Sequence, residues 1–351
     1  MKRNISRLIT LVLAVFIIES AAAEELSFVT VNAWSGMDYS GIISCDEYES
    51  DGDREFRREI LTSSLADTSA DVIVLNGLNP AGPAAGAVSG ELGMKSYAWV
   101  SRSGVRIGPV SLPANLKEGD AVLTAEGLTV EPAGRMQMKG LSAGSAVTLF
   151  ARDGVQAAGC LVSTGDVSFY VFSVVWTESL FADKESLLTL LSAYSNGEIS
   201  GEEYTGFTEN AVEGAAARLE QAAETLSFIN SVAGETPVVL MGSLNALPGS
   251  AELDLLTDAG FIDIYARSGR GPGYTVDMAG NSSFKKIPEG GLQKARALLS
   301  GQYRSDYILM RGRGMKPVSA EIVLDEPVYG VFPSARYGVK AVIEFSPILS
   351  E

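Results

Sequence analysis

The chain has 351 residues, with 27 basic and 43 acidic side chains and a formal net charge of −16 at pH 7. It contains no histidine, which excludes Ser-His-Asp and Cys-His catalytic arrangements and any histidine general base. A surface of this charge repels phosphate backbones, so a nucleic-acid partner is not expected unless a basic patch or bound cations reverse the local sign.

The first predicted element is an export signal. Residues 1–23 combine a basic start, an apolar run over residues 8–18 and alanines at residues 21–23, the pattern of a cleavable signal peptide. We therefore expect a signal peptide at residues 1–23 and one domain over residues 24–351. The mature protein is expected to be secreted or periplasmic, without a stable membrane span. An uncleaved N-terminal anchor is the alternative interpretation.

The chain has two cysteines, Cys45 in a polar segment and Cys160 in an apolar run. An oxidising compartment would permit a disulfide between them, and two unpaired thiols are the alternative. Neither cysteine has a histidine to activate it, so neither is expected to be a catalytic nucleophile.

Predicted strands alternate with a few predicted helices along the rest of the chain. Short β-rich runs predict strands at residues 26–31, 72–75, 98–100, 121–123, 146–150, 157–163, 168–175, 238–241, 307–310 and 340–345. Helical spacing of apolar residues predicts helices over residues 53–67, 182–193 and 211–232. Residues 80–93 and 267–292 are rich in Gly, Pro and Ser and are predicted to be surface loops. This arrangement predicts an α/β (α+β) fold in which helices flank a two-sheet β-sandwich.

An acidic segment, residues 45–55, precedes the first of these helices. Its carboxylates at Asp46, Glu49, Asp51 and Asp53 could chelate Ca²⁺, although their spacing does not match the EF-hand pattern. A solvated loop that caps the following helix is the alternative, because acidic residues are favourable at a helix N-terminus.

Several short motifs follow one another in an informative order. They are Val31-Asn32, the helix from Asp53, residues 71–75, residues 169–175, Arg218-Leu-Glu-Gln221, Gly242-Ser-Leu-Asn245, Ser305-Asp-Tyr-Ile308 and Ser334-Ala-Arg-Tyr337. In this order they resemble the endonuclease/exonuclease/phosphatase superfamily, which has the deoxyribonuclease-I-like fold. The resemblance implies that nearly the whole mature chain has this fold. It also implies a cleft in which phosphoesters are hydrolysed with the help of a divalent metal, a histidine base and several carboxylates.

The chain departs from the family at the positions that carry this chemistry. The resemblance places Gly77 at the metal-binding glutamate and Trp176 near one histidine. It places Ser243 at the aspartate of Gly-Asp-x-Asn, and Ala335-Arg336 at the closing Asp-His pair. Glycine offers no side-chain ligand, and arginine stays protonated and cannot act as a general base.

Three polar positions of the family pattern remain, at Asn32, Asn245 and Asp306. They could contact phosphate or metal, or they could hydrogen-bond their own turns and brace the neighbouring loops. The candidate binding cleft predicted from the resemblance consists of Asn32, Trp34, Asn76, Trp176, Asn245, Asp306 and Arg336. In this cleft, Arg336 would supply a fixed positive charge, and Trp34 and Trp176 would supply aromatic walls. The alternative is that Arg336 is a surface residue paired with an acid.

From the sequence we expect an exported, catalytically inactive protein without cofactor or metal that binds a protein, a glycan or a small anionic ligand. The alternative is an active metal-dependent phosphoesterase, a nuclease or phosphodiesterase, whose rebuilt site uses Mg²⁺ or Ca²⁺ and Asp306 as a weak candidate ligand.

Overall fold

The computed structural model describes residues 23–38, 44–107, 110–139, 155–287, 291–299 and 301–346. The predicted signal peptide up to residue 22 and the predicted strand at residues 146–150 lie outside the described residues, and the division into residues 1–23 and 24–351 stays a prediction. In the part of the chain that is described, no helix is both long and apolar enough to cross a membrane.

Most of the described residues belong to strands and helices, numbered here in chain order. The strands are β1 (Glu24–Asn32), β2 (Met37–Asp38), β3 (Asp46–Glu47), β4 (Val72–Leu78), β5 (Lys95–Ile107), β6 (Val110–Thr124), β7 (Thr129–Gln137), β8 (Gln156–Ser163), β9 (Ser168–Val175), β10 (Val238–Ser243), β11 (Ile262–Asp263), β12 (Val276–Asp277), β13 (Gln302–Tyr303), β14 (Asp306–Arg311), β15 (Met315–Val323) and β16 (Gly338–Phe345). The helices are α1 (Asp51–Thr68), α2 (Ala81–Leu92), α3 (Lys184–Ser195), α4 (Gly201–Ala233), α5 (Ala251–Asp258), α6 (Ile264–Ser268) and α7 (Gly291–Leu298), with a 3₁₀ helix at Ser282–Lys286.

Two six-stranded sheets organise the fold. Their strand orders are β15-β16-β1-β4-β6-β5 and β11-β14-β10-β9-β8-β7. Each has one parallel pair at its centre, β1 with β4 and β9 with β10, and its remaining pairs are antiparallel. The predicted two-sheet architecture is therefore confirmed.

A hydrophobic core fills the space between the sheets. Phe28 of β1, Phe169 of β9 and Phe345 of β16 are fully buried there. The ring centroids of Phe169 and Phe345 lie 4.7 Å apart, and those of Phe28 and Phe169 lie 5.7 Å apart with an edge-on geometry. These aromatic contacts join strands from opposite sheets, so burial of the three rings fixes how the sheets stack.

Helices cover the outer faces of both sheets. Leu61 and Leu65 of α1 and Ala85 of α2 pack on the first sheet, whereas Ala222 and Ile229 of α4 pack on the second. The fold therefore has four layers, helix, sheet, sheet and helix.

Capping residues explain where the helices begin. Ser50 precedes α1 and accepts a hydrogen bond from the Asp53 amide, while Ser200 and Glu203 form a reciprocal capping box at the start of α4. Asp53 thus lies in the first turn of α1, as the helix-capping interpretation of residues 45–55 expects.

Several details differ from the sequence prediction. Residues 80–93, predicted to be a loop, contain α2, in which Ala81, Ala85 and Val88 form a buried stripe at helical spacing. Glycine and proline content was misleading here because Pro83 lies in the first turn, where a proline is tolerated. Phe56 and Leu219, two apolar residues within the predicted helices at residues 53–67 and 211–232, are exposed.

The two cysteines are unpaired, and both are buried. Cys160 lies in β8 within the core between the sheets, and Cys45 packs against Met37 and Leu116. Burial raises the pKa of the Cys160 thiol to about 12, so this thiol is unreactive at neutral pH. This structure therefore contains no disulfide between Cys45 and Cys160.

The aromatic cluster between the sheets leads to a stability prediction. Phe169→Ala should lower the free energy of unfolding by about 3–5 kcal/mol, because it removes a fully buried ring and leaves a cavity. Phe56→Ala is the matched control, because this phenylalanine is 41% exposed, and it should cost no more than about 0.5 kcal/mol. Urea unfolding followed by circular dichroism measures both; equal losses would contradict the assigned packing.

Candidate functional site

The strand ends bring the sequence-predicted positions together at one edge of the sandwich. Asn32 ends β1 and Ser243 ends β10, and the Asn32 Nδ2 donates a hydrogen bond to the Ser243 Oγ at 3.2 Å. Gly77 lies near the end of β4, and Trp176 follows β9. The carboxyl ends of the four central strands, two from each sheet, therefore meet at this edge.

A cleft of about 670 Å³ opens at this edge, a size typical of small-molecule sites, which span about 300–1,000 Å³. Five sequence-predicted positions line it: Asn32, Gly77, Trp176, Asn245 and Arg336.

Three other predicted positions are buried next to the residues that line the cleft. Asn76, Ser243 and Asp306 are fully buried and do not line the cleft. The Asn76 Nδ2 donates to the Ser173 Oγ at 2.9 Å. Ala335 is also buried.

The two tryptophans do not form the expected aromatic walls. Trp176 is 1% exposed, and its Nε1 donates to the Thr225 Oγ1 at 3.0 Å within the core of the second sheet. Trp34 lines a different pocket, where its ring stacks on Tyr48 with the Arg57 guanidinium 5.0 Å from the ring centroid. Trp176 is therefore mainly a core residue, and Trp34 lies outside the cleft.

Gly77 occupies a position that excludes a longer side chain. Its φ is +69°, and a Cβ placed there would lie 2.9 Å from the Asn32 Oδ1. Left-handed backbone disfavours residues with a Cβ, and the Asn32 carboxamide already fills the adjacent space. The backbone at this point thus favours a glycine, and a glutamate would be strained unless the Asn32 side chain moved.

Asp306 is satisfied by its neighbours. Its carboxylate accepts hydrogen bonds from the Ser243 Oγ at 2.6 Å, the Thr275 Oγ1 at 2.7 Å and the Ser305 Oγ at 2.8 Å. The Arg336 Nη1 is 3.5 Å from the same carboxylate. Both carboxylate oxygens are therefore engaged inside the protein.

Arg336 is the buried cation of this region. Its Nη1 donates to the Asn245 Oδ1 at 2.9 Å and to the Ser305 Oγ at 3.1 Å. Asn245, at a φ of +50°, uses its Nδ2 to donate to the Trp176 carbonyl at 2.7 Å. Burial disfavours the charged guanidinium, but the charges of Asp306 and Glu178 raise the pKa of Arg336 above its ordinary value. Arg336 is therefore a fixed charge and not the surface residue of the alternative interpretation.

The cleft also contains charged residues that the sequence analysis missed. They are Asp38, Arg102, Glu118, Asp120, Glu178 and Arg296. Arg102 forms an ion pair with Glu118 at 3.7 Å. Glu178 forms ion pairs with both Arg296 and Arg336, and the charge of Arg296, together with that of Arg336, lowers the pKa of Glu178 to about 2. Both acidic and basic groups thus line the cleft.

Asp120 is the most unusual of these groups. It lies on β6 opposite the irregularity in β4 that contains Gly77, accepts a hydrogen bond from the Gly77 amide at 3.1 Å, and contacts the Gln156 amide. Burial raises its pKa to about 7, against the opposing hydrogen bonds from Gln156 and Gly77. The sequence contained one signal for Asp120, because its carboxylate directly precedes the apolar run at residues 121–123.

The residues that are present do not fit a divalent metal at the position implied by the resemblance. Gly77 supplies no donor, and the Asp306 oxygens are held by three hydroxyls and a guanidinium. Within the described ranges, no three His, Cys, Asp or Glu side chains are grouped so that they could hold a metal ion.

The acidic segment at residues 45–55 does not form the alternative calcium site either. The Glu49 carboxylate is fully buried, 2.8 Å from both the Arg57 Nη2 and the Lys286 Nζ. Its charge is therefore neutralised inside the protein, which leaves this part of the segment with a structural role.

The raised pKa of Asp120 predicts how stability varies with pH. Between about pH 4 and 7 the unfolded chain ionises this aspartate, whereas the folded protein retains the proton, so stability should fall as pH rises through this window. The loss should reach about 4 kcal/mol, because each unit of pKa difference is worth about 1.4 kcal/mol.

Asp120→Asn should remove most of this pH dependence while preserving a polar side chain of the same size. The exposed Asp166→Asn is the control and should leave it unchanged. Urea unfolding between pH 4 and 8 tests the assignment, and an unchanged slope in Asp120→Asn would show that another group is responsible.

No family model and no curated protein matches the chain, but solved structures do. A functionally unknown conserved protein from Enterococcus faecalis is similar at 17% identity, with a TM-score of 0.57 over 91% of this chain and 99% of that chain. An endonuclease/exonuclease/phosphatase from Bacteroides vulgatus is similar at 14% identity, with a TM-score of 0.56 over 92% and 99%. TDP2 from D. rerio, complexed with single strand DNA product, is similar at 14% identity, with a TM-score of 0.55 over 91% and 99%. The chain therefore has the deoxyribonuclease-I-like fold of the endonuclease/exonuclease/phosphatase proteins.

Proposed function

We propose that this protein binds a small ligand in the cleft and does not hydrolyse phosphoesters. The observation that carries this proposal is the pairing of Arg336 with Asp306 and Asn245 where the resemblance implies an Asp-His pair. A guanidinium stays protonated and cannot take a proton from water. The positive charge of Arg336 instead lies among the polar side chains at the strand ends.

The surroundings of Gly77 support the same proposal. Gly77 has no side-chain ligand atom, and its left-handed backbone disfavours a longer residue, so the metal of the family's reaction lacks its glutamate ligand. Hydrolysis of phosphoesters depends on a cation to offset the charge that grows on the phosphoryl oxygens. The cations that line the cleft are already paired with acids: Arg296 and Arg336 with Glu178, and Arg102 with Glu118.

A second candidate function, an active hydrolase with a rebuilt site, is favoured by Asp120. A buried carboxyl at the edge of a cleft with a pKa of about 7 has the properties of a general acid or base. Against this candidate, one missing general base typically costs about 10²–10⁴-fold in rate, and several family groups are replaced here.

A long polyanion is a poor ligand for either function, because Asp38 and Glu118 also line the cleft.

A hydrolysis assay separates the two functions. We expect purified mature protein to give no turnover above a protein-free blank with bis-p-nitrophenyl phosphate or p-nitrophenyl phosphate, with Mg²⁺, Mn²⁺ or Ca²⁺. Turnover that disappears in Asp120→Asn or Asp306→Ala, but persists in the exposed control Asp166→Asn, would overturn the proposal and establish a rebuilt catalytic site. Circular dichroism of each variant shows that loss of activity is not loss of folding.

We also propose that the protein is exported, because residues 1–23 have the composition of a signal peptide. Expression of the full chain should yield mature protein in the cell envelope or the medium, with an N-terminus at or close to residue 24. N-terminal sequencing of each fraction tests this, and an intact N-terminus on cytoplasmic protein would contradict it.

A further inference from the structure

The carboxylate of Glu178 lies between two guanidinium groups of the cleft. Its Oε1 is 3.1 Å from the Arg296 Nη2 and 3.2 Å from the Arg336 Nη2. The Glu178 side chain is 52% exposed, whereas the side chains of Arg296 and Arg336 are 12% and 9% exposed. The two cations are therefore nearly buried, and the anion that joins them is the accessible partner.

Both arginines have anchors other than Glu178. Arg336 is fixed from behind by Asn245, Ser305 and Asp306. The backbone of Arg296 is carried by α7, whose Ala295 is fully buried in a cluster with residues of α3 and α4. Displacement of the Glu178 carboxylate would thus leave two cations at the cleft.

Glu178 itself belongs to a segment with a fixed backbone. The Thr177 amide donates to the Gln221 Oε1 at 2.8 Å, and the Leu180 amide donates to the Asn210 Oδ1 at 2.9 Å. Thr177 and Ser179 are buried on either side. The backbone need not move for the carboxylate to leave, because rotation of the exposed side chain is sufficient.

The ion-pair geometry leaves room for a better acceptor. The ion pairs of both arginines are formed with the Oε1 of Glu178, whereas guanidinium groups bind carboxylate and phosphate most strongly when two or more oxygens accept. A small free oxyanion can present separate oxygens to Arg296 and Arg336. Glu178 is tethered to the chain, so its approach to the two guanidinium groups is restricted.

We propose that Arg296 and Arg336 form an oxyanion-binding site that Glu178 occupies in the ligand-free protein, and that the anionic group of the ligand displaces Glu178. This inference rests on the proposed binding function of the cleft and names the chemistry of its ligand. The ligand carries one oxyanion, a carboxylate or a phosphate. Its remainder is uncharged, because the third cation that lines the cleft, Arg102, is already paired with Glu118, and Asp38 adds another acidic group.

Glu178→Gln tests this site, because it removes the competing charge and preserves the size of the side chain. Inorganic phosphate and acetate, titrated separately into each protein by isothermal calorimetry at pH 7, distinguish the two sources of the oxyanion. We expect at least one of them to bind about tenfold more tightly to Glu178→Gln than to the unaltered protein, the change that about 1.4 kcal/mol produces.

Two further variants make the test specific. Glu321→Gln is the matched control, because it removes an exposed carboxylate that is paired with Lys340 at 3.5 Å on the edge of the first sheet, and it should leave affinity unchanged. Arg296→Gln, introduced into Glu178→Gln, should abolish the gain. If Glu178→Gln does not fold, Glu178→Asp is the substitute, because its shorter side chain holds the carboxylate farther from the arginines. It should give a smaller increase in the affinity for the oxyanion.

The outcomes separate this inference from the proposed function. No gain for either anion in a folded Glu178 variant, or an equal gain in Glu321→Gln, overturns the oxyanion site even if the protein hydrolyses nothing. A gain that depends on Arg296, combined with phosphoester turnover, supports the oxyanion site and overturns the non-hydrolytic proposal. A gain without turnover supports both.

Discussion

The polar end of this fold depends on a buried charge pair. Asp306 begins β14 of the second sheet, and Arg336 precedes β16 of the first, so their contact joins the two sheets where the hydrophobic core ends. Neither charge would be stable there alone, because a buried ion without a partner typically costs about 3–5 kcal/mol. Hydroxyls and an amide complete the pair: Ser243, Thr275 and Ser305 donate to Asp306, and the Asn245 carbonyl accepts from Arg336.

This arrangement changes what the cleft can do. Where the resemblance implies an Asp-His pair, the chain has a guanidinium whose partners are already in place. Such a guanidinium can orient an oxyanion, but it cannot lower the pKa of a bound water as a metal does. The presence of both signs of charge around the opening, at Arg102, Glu118, Glu178 and Arg296, further favours a ligand with a small, localised charge over a long polyanion.

The sequence predicted the sandwich well because its strands are dense in buried apolar residues. The run at residues 168–175 coincides with β9, whose side chains fill the core. The edge strand β7 was not predicted because it is mostly exposed and has no such run. In α2, small residues formed the buried face, and their glycine and proline neighbours imitated a loop.

The candidate site was predictable in position and less so in composition. Asn32, Asn245 and Arg336 could be placed at the cleft because the resemblance aligned their motifs with the strand ends that form the family's site. The role of Trp176 could not be seen, because nothing local shows that its ring enters the core of the second sheet. Asp120 and Glu178 were missed because a single carboxylate beside a strand resembles an ordinary surface residue until burial and neighbouring charges are known.

The contact between Gly77 and Asn32 has a consequence for protein engineering. A glutamate introduced at position 77 alone would meet both an unfavourable backbone conformation and the Asn32 carboxamide. A design that places a carboxylate ligand at this strand end would therefore have to remodel the local backbone and move the Asn32 side chain together with the substitution.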